Sequence, residues 1–286
     1  MMKNRISVTA DCTSDLSDEL LKKYSIETIY FNIVTGTGCF HDLDEITALN
    51  VLELIENGET ARSLAPDIDE CIKFFTEKLE TCEELIHITI SSQISRSYMN
   101  CCEALKIMGD KAKRIKILDS QNLSTGTGHL AIRASKLAAK GESSDAIIKD
   151  LSEYRKRVST SFLVRNADYL YENGKVGKKT KKICDILDLH PILQIKNGKI
   201  CLKFFRGGEY EKAQINYVRS EIKKPDIIDK DRIFITHSGC SVKTLEAARN
   251  VIEEKNIIKN IYITEASATV SSNCGPGTIG IIYIRK

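Results

Sequence analysis

The first half of this 286-residue chain alternates strand patterns with helix patterns, and this alternation restricts the fold more than any other feature. Short apolar runs at residues 5–10, 85–90 and 115–118 predict buried strands, and an amphipathic stretch at 67–80 predicts one of the helices between them. Parallel strands need long crossover connections, which are usually helices. The pattern therefore predicts a parallel sheet covered by helices on both faces.

The second half carries a hairpin signal that the first half lacks. Two apolar runs, at residues 191–196 and 199–204, are separated by Asn197-Gly198, a dipeptide that suits a type I′ turn. We therefore predict an α/β protein of two domains: a Rossmann-like parallel-sheet domain over residues 1–158 and an α+β domain with a mixed sheet over residues 159–286.

Four local expectations follow from the same patterns. They are a single strand over residues 27–34, a helix that begins at Gly128, a helix that runs from 144 to 160, and a polar turn over 271–277. A further helix is expected over residues 179–187.

Composition is that of an ordinary soluble protein. The formal charge of +3 is too small over this length to indicate nucleic acid, and no apolar run reaches the length of a membrane span. The N-terminus leads directly into a strand without an apolar signal segment, so we expect a cytoplasmic protein without stable membrane insertion. The ten cysteines contain no C-x-x-C spacing, which favours reduced thiols and no metal site.

Polar turns follow several predicted strands, and ligands of parallel α/β sheets gather at the carboxyl ends of strands. The richest turn, Ser91–Ser97, offers four hydroxyl groups and the backbone N–H groups of a helix start, which suit a carboxylate or phosphate. The alternative is that these serines only cap the helix.

Two patterns would suit an enzyme. Gly126-x-Gly128-x-x-Ala131 resembles a dinucleotide fingerprint, but eight residues separate it from the strand that ends at Leu118. Cys274 would be a thiolate nucleophile if His237 acted as its base, although nothing in the sequence brings the two together. The alternative hypothesis is thus a nucleotide- or thiol-dependent enzyme.

Taken in order along the chain, several short motifs resemble the DegV family. Asp11-Cys-Thr-Ser-Asp-Leu16 resembles the family's D-S-T-x-D-L, and residues 90–98 resemble I-S-S-x-L-S-G-T-Y. Asn273-Cys-Gly-Pro-Gly277 falls where the family has H-T-G-P-G. The remaining resemblances are Ala61–Pro66 to T-S-Q-P-S-P, residues 119–120 to D-S, residues 162–176 to a segment that ends in G-G-R-I, and residues 190–193 to K-P-I-L.

The resemblance implies a DegV-like fold in which two domains enclose a long-chain fatty acid, such as palmitate or oleate. It implies that hydroxyl groups hold the carboxylate, that the chain is not an enzyme by itself, and that it needs no cofactor or metal beyond the bound fatty acid. In related proteins a separate fatty acid kinase phosphorylates the presented carboxylate, so such a kinase is the expected partner, and nucleic acid is not.

Three motif positions depart from the family. The threonine of T-S-Q-P-S-P is Ala61 here, the glycine of S-G-T is Arg96, and the histidine of H-T-G-P-G is Asn273. Since that threonine and histidine help to hold the carboxylate in the family, we expect Arg62 or Arg96 to supply the missing donor, because guanidinium groups pair well with carboxylates. The competing interpretation is a degraded head-group site in a protein that acts only through interactions.

The sequence therefore predicts a fatty-acid-binding protein whose head-group site comes from three segments. The candidate site residues are Ala61, Arg62, Ser63, Ser92, Ser95, Arg96, Ser97, Asn273, Cys274 and Gly275.

Overall fold

The structure is a computed structural model, and it describes residues 4–172, 174, 177–179, 181–182 and 189–286. Most of the helix expected over residues 179–187 lies outside these residues. So do Asn173, Lys175 and Val176 of the motif that resembles G-G-R-I.

Thirteen strands and ten helices of the described residues carry the fold. The strands are β1 Asn4–Asp11, β2 Ile26–Ile29, β3 Asn32–Thr35, β4 Gly38–His41, β5 Arg62–Leu64, β6 Cys82–Thr89, β7 Ile115–Asp119, β8 Val158–Leu163, β9 Leu189–Lys196, β10 Lys199–Gly207, β11 Ile228–Ser238, β12 Asn260–Glu265 and β13 Thr278–Arg285. The helices are α1 Asp18–Tyr24, α2 Ala48–Glu56, α3 Ile68–Thr81, α4 Ser97–Met108, α5 Thr125–Ala139, α6 Ser144–Tyr154, α7 Asp168–Glu172, α8 Tyr210–Glu221, α9 Val242–Glu253 and α10 Ala268–Cys274.

The predicted parallel sheet is confirmed. Its strand order is β2-β1-β6-β7, and every neighbouring pair is parallel. Helix α3 begins where expected, because Asp67 accepts the Glu70 N–H while the Glu70 side chain accepts the Asp67 N–H, a reciprocal capping box. The apolar face of α3 packs Cys71, Phe75 and Leu79 against this sheet.

A mixed six-stranded sheet forms the second half, with strand order β10-β9-β8-β13-β11-β12. Only β11 and β12 pair in parallel, and the other neighbours are antiparallel. Asn197 and Gly198 have φ values of 51° and 77°, which are the left-handed conformations that a type I′ turn requires. The two-domain α/β fold class is therefore confirmed. The domain boundary between residues 158 and 159, which would fall at the start of β8, stays a proposal.

The single strand expected over residues 27–34 is wrong, because two sheets share this segment. β2 pairs with β1, whereas β3 pairs with β4 and β5 in a separate three-stranded sheet. Ile29 packs beside Phe75, and Ile33 packs into another core with Val51. One run of apolar residues thus supplies two cores, a division that periodicity alone does not reveal.

Three other expected boundaries are also corrected. Helix α5 begins at Thr125 rather than Gly128, and α6 ends at Tyr154, after which a 3₁₀ turn over Arg155–Arg157 leads into β8. The expected polar turn over 271–277 is in part a helix, α10, because Ser267 caps its first turn through the Val270 N–H.

Helix α5 lies between the two large sheets. Its buried residues Leu130 and Ala134 belong to a core that also contains Val8 of β1, Phe234 of β11 and Ile282 of β13. Among the residues that the structure describes, no helix is both long and apolar enough to cross a bilayer.

Candidate functional site

A cavity of about 440 Å³ opens where the carboxyl ends of β6 and β11 approach helix α10. Ligands of α/β folds usually bind at the carboxyl ends of the parallel strands, as this cavity would allow. The volume lies in the range of small-molecule sites, roughly 300–1,000 Å³. Much of the cavity wall is apolar, with contributions from Phe31, Ile90, Ile94, Leu123, Phe162 and Val270.

One group of polar side chains lines the cavity from β5, from α4 and the turn before it, and from α10. We call this group the polar rim: Ser63, Ser95, Arg96, Asn100 and Asn273. The Asn273 amide donates to Ser63 Oγ at 3.1 Å and to the Thr269 carbonyl at 2.7 Å. Asn100 donates to the Pro66 carbonyl at 2.8 Å, which ties α4 to the segment after β5. These bonds bring three distant segments of sequence together.

The rim also includes the start of α4. Arg96 is the N-cap residue of this twelve-residue helix and is exposed to solvent. Its side chain makes no capping hydrogen bond, as expected for a guanidinium, which has donors but no acceptor. The partial positive charge of a helix N-terminus and a guanidinium both favour an anion at this place.

Five of the ten predicted site residues line the cavity. They are Ser63, Ser95, Arg96, Asn273 and Cys274. Ser63 has a clear role because it is the partner of Asn273, whereas Ala61 is packed in a core with Ile33 and Val51.

The other predicted residues lie outside the cavity lining, and two of the serines have structural partners. Ser92 Oγ donates to Asp119 at 2.6 Å, and Ser97 Oγ donates to the buried Asp11 at 2.8 Å. The side chain of Arg62 is exposed on β5. Ser92 and Ser97 are thus held by aspartates and do not cap α4, so the structure does not support the capping interpretation for them, and Ser95 stays at the rim.

The hairpin of β9 and β10 helps to cover this turn. Ser91 Oγ donates to the Gly198 carbonyl at 2.7 Å. Ile200, two residues further along β10, lines the cavity.

Cys274 does not have the environment of a nucleophile. Burial raises the pKa of its thiol to about 12, so the thiolate is scarce near neutral pH. Gly275, which ends α10, has a φ of 76° and lies against Tyr169, whose ring a Cβ atom at this position would meet at 2.3 Å. This glycine therefore closes the helix and permits close packing.

The glycines of the dinucleotide-like motif lie inside α5. A Cβ atom on Gly126 would meet Asn122 Oδ1 at 2.2 Å, and one on Gly128 would meet the Ser14 carbonyl at 2.9 Å. Both glycines thus allow close packing of α5 against its neighbours. The sequence pattern is better explained by this packing than by a pyrophosphate site.

Thr160 and Thr236 line the cavity from the face of the six-stranded sheet that packs on α5, whereas the neighbouring His237 directs its side chain to the opposite face. Sequence reasoning considered His237 only as a catalytic base and did not predict the two threonines as cavity residues. Burial lowers the pKa of His237, which favours the neutral ring. The one available signal was the polar Thr236-His237 pair directly after the apolar run of residues 233–235 in β11.

Buried carboxyl groups support the cavity from behind α10. Asp42, which follows β4, accepts hydrogen bonds from the backbone N–H groups of Ala268 and Thr269, each at 2.8 Å. Asp15 accepts from the Ser267 N–H at 3.0 Å. Burial raises the pKa of Asp42 and raises that of Asp15 to about 7.

Comparison with known proteins gives consistent results over the whole chain. The sequence model of the DegV family, described as uncharacterised proteins, matches residues 5–286. A DegV domain-containing protein of Clostridium acetobutylicum is 27% identical over 289 residues and covers 99% of each chain.

Solved structures of the same fold are also similar. A DegV family protein of Thermus thermophilus, described as fatty acid binding, has a TM-score of 0.88 at 22% identity, with 99% of this chain and 100% of the other covered. The Fatty Acid Kinase (Fak) B3 protein of Streptococcus pneumoniae, loaded with linoleic acid, has a TM-score of 0.85 at 18% identity with the same coverage.

Proposed function

The chain belongs to the DegV family, and from this premise we propose that it is a non-catalytic carrier that encloses a long-chain fatty acid and presents the carboxylate at the polar rim. The observation that carries the proposal is the cavity of about 440 Å³, whose apolar wall ends at Ser63, Ser95, Arg96 and Asn273. The Thermus thermophilus protein is described as fatty acid binding, and the Streptococcus pneumoniae protein is loaded with linoleic acid, which is a ligand of the same chemical class.

Energetics favour a long aliphatic ligand over a small acid. Burial of each methylene group contributes about 0.8 kcal/mol, so a sixteen-carbon chain gains on the order of 10 kcal/mol before the cost of ordering. One neutral hydrogen bond contributes only about 1 kcal/mol. The tail therefore determines affinity, and the rim determines which end of the ligand faces outward.

We assign the carboxylate to Arg96 and Ser95. Arg96 lines the cavity and Arg62 does not, which favours Arg96 as the replacement for the side chains that the family has at Ala61 and Asn273. Asn273 carries no charge, and its two amide hydrogens are already donated to Ser63 Oγ and the Thr269 carbonyl, so it orients Ser63 rather than holding the carboxylate itself. A guanidinium restores a charged contact, and charge-assisted hydrogen bonds are roughly twice as strong as neutral ones.

The rim also suggests a partner. A carboxylate at an open mouth is accessible to a second protein, and the Streptococcus pneumoniae relative is a component of fatty acid kinase. We propose that a fatty acid kinase phosphorylates the presented carboxylate. We place this exchange in the cytoplasm, because all nine cysteines in the described part of the chain are free, as is usual in reducing compartments.

Titration with palmitate and oleate tests the assignment of the carboxylate. We expect Arg96→Ala to weaken binding by about tenfold, since a hydrogen bond to a charged group contributes about 1.5–3 kcal/mol and the rim is partly solvated. Arg62→Ala is the matched control, because it removes the same charge from a neighbouring exposed position outside the cavity lining.

Unchanged affinity in Arg96→Ala would contradict the assignment of the carboxylate. Failure of the unmodified protein to bind either acid would contradict the proposed function itself and would favour the interaction-protein interpretation.

A further inference from the structure

One end of the cavity lies against the six-stranded sheet, deep between the two large sheets. Four buried residues of β8, β11 and β13 line it there, and we call them the cavity floor: Thr160, Thr236, Gly280 and Ile282. Ile282 also belongs to the core that α5 shares with both sheets, whereas Arg96 of the polar rim is exposed. The floor is therefore the end of the cavity at which the tail of a ligand held at the rim would stop.

Strand pairing brings the floor residues together on one face of the sheet. Gly280 of β13 pairs with Thr236 of β11, and Ile282 pairs with Thr160 of β8. Residues two positions apart in a strand direct their side chains to the same face. Since β13 lies between β8 and β11, Gly280 is at the centre of the floor with Ile282 beside it.

The two threonines of the floor use their hydroxyl groups within the protein. Thr160 Oγ1 donates to Asn122 Oδ1 at 2.7 Å. Thr236 Oγ1 lies 2.9 Å and 3.0 Å from the hydroxyl groups of Thr125 and Thr264. The Cγ2 methyl groups are thus the parts of these side chains that have no polar partner. The floor suits the apolar end of an aliphatic chain, which offers no hydrogen bond.

Gly280 is an unusual residue for its place in the fold. It lies inside β13, a strand whose residues are buried up to Ile284. A glycine inside a strand packs no side chain and loses more conformational freedom on folding than other residues do. Its φ is not positive, so the backbone conformation does not require a glycine. Glycine in such a position often marks the close approach of a ligand.

A Cβ atom on Gly280 would take space at the floor. It would meet the Ile282 Cδ1 methyl at 3.2 Å and the Ser161 carbonyl oxygen at 3.3 Å. These contacts are close, but the nearer one is with the end of a flexible side chain that can rotate. Gly280 and the Ile282 Cδ1 methyl therefore border the same small volume.

We propose that Gly280 and Ile282 set the longest acyl chain that the cavity accepts. The last carbons of the tail lie against the bare backbone of Gly280 and beside Ile282 Cδ1. A methyl group added at one position or removed at the other then changes the accepted length by about one carbon, because packed interiors respond to a single methylene. The inference rests on the proposed function and adds the residues that determine chain length.

The test is a profile of affinity against chain length. Calorimetric titration of the full chain uses saturated fatty acids that differ by one carbon, from laurate to acids longer than stearate. In the parent, affinity should rise by about fourfold per methylene, the equivalent of about 0.8 kcal/mol, up to the longest acid that fits. Gly280→Ala should lower the affinity of that acid by about fourfold and leave shorter acids unchanged.

Ile282→Val tests the same volume from the other side. It removes the Cδ1 methyl that a Cβ atom on Gly280 would meet, so the limit should move about one carbon longer. The double variant should return the limit to that of the parent. Gly36→Ala is the matched control, because a Cβ atom there has open space around it and Gly36 is outside the cavity lining. Its profile should equal that of the parent.

The outcomes separate this inference from the proposed function. If Gly280→Ala weakens every acid by the same factor, the glycine serves packing alone and the inference is wrong, while the proposed function stands. An unchanged limit in Ile282→Val would also overturn the inference, even where Gly280→Ala does not fold. If the parent binds no acid of the series, the proposed function itself fails.

Discussion

Asp15 shows how much a single residue near the cavity depends on pH. Its carboxyl group is buried, accepts the Ser267 N–H at 3.0 Å, and belongs to a residue with a left-handed backbone (φ 51°). Burial, opposed by hydrogen bonds from Ser124 and Ser267, raises its pKa from the usual 3.8 to about 7. The folded protein therefore holds a proton that the unfolded chain releases.

The sign of the pH dependence follows from this difference. Between pH 3.8 and about 7 the folded state binds more protons at Asp15 than the unfolded state does, so this residue lowers stability as the pH rises. We expect Asp15→Asn, which is neutral at every pH and tolerates the left-handed conformation, to lack this decline. The free energy of unfolding of the variant minus that of the parent should therefore increase between pH 3.8 and about 7, by on the order of 4 kcal/mol at most.

Urea unfolding at a series of pH values measures this gap. Asp226→Asn is the control, because it removes a carboxylate from an exposed position. A gap that stays constant across the window, or the same widening in the control, would show that Asp15 is not the responsible group.

At the residue scale, the sequence predicted the rim better than the rest of the site. Ser95, Arg96 and Asn273 were found because they stand at motif positions. The structural role of Ser63 as the partner of Asn273 depends on a contact across 210 positions of sequence, which no local pattern reveals. Thr160 and Thr236 were not predicted as cavity residues for the same reason.

Helix α10 is the element on which the rim depends most. It ends with Asn273 and Cys274, and its first turn is held by Asp42 from the loop after β4. The three-stranded sheet therefore supports the rim indirectly: it positions Asp42, and Asp42 holds the helix that carries Asn273.

Replacement of Asp42 tests this support. Asp42→Ala leaves the N–H groups of Ala268 and Thr269 without their carboxylate partner in a buried place, at a cost of about 1–3 kcal/mol each. We expect the free energy of unfolding to fall by about 2–5 kcal/mol and palmitate affinity to fall with it. Denaturant unfolding and palmitate titration of the same samples measure both effects.

Asp44→Ala is the matched control for this experiment, since Asp44 lies in the same loop but is exposed. A loss in Asp42→Ala no larger than that in Asp44→Ala would mean that the carboxylate does not hold α10.

At the element scale, the sequence predicted regular strands and helices well. It predicted poorly the segments whose structure depends on contacts with distant parts of the chain. Periodicity and the Asn197-Gly198 turn predicted the hairpin of β9 and β10 and the parallel strands β1, β6 and β7. Periodicity failed at residues 27–34, where the chain leaves one sheet for another. It also failed at α10, a helix of seven residues that is stabilised by a distant aspartate and has no strong local pattern. Tertiary contacts determine both features.

For the whole molecule, the strand–helix alternation of the first half and the hairpin of the second were enough to predict two α/β domains of different sheet type. What they did not predict was the void between these parts. A cavity exists because residues distant in sequence, such as Phe31, Phe162 and Val270, leave a space of about 440 Å³ that their side chains do not fill. That space is the feature on which the carrier hypothesis depends.

Native mass spectrometry of the purified chain, before and after incubation with palmitate, tests the occupancy of that space most directly. We predict a complex with one long-chain fatty acid per chain, either retained through purification or formed on addition. A spectrum that shows only the ligand-free mass after incubation, or a nucleotide in place of the lipid, would contradict the account.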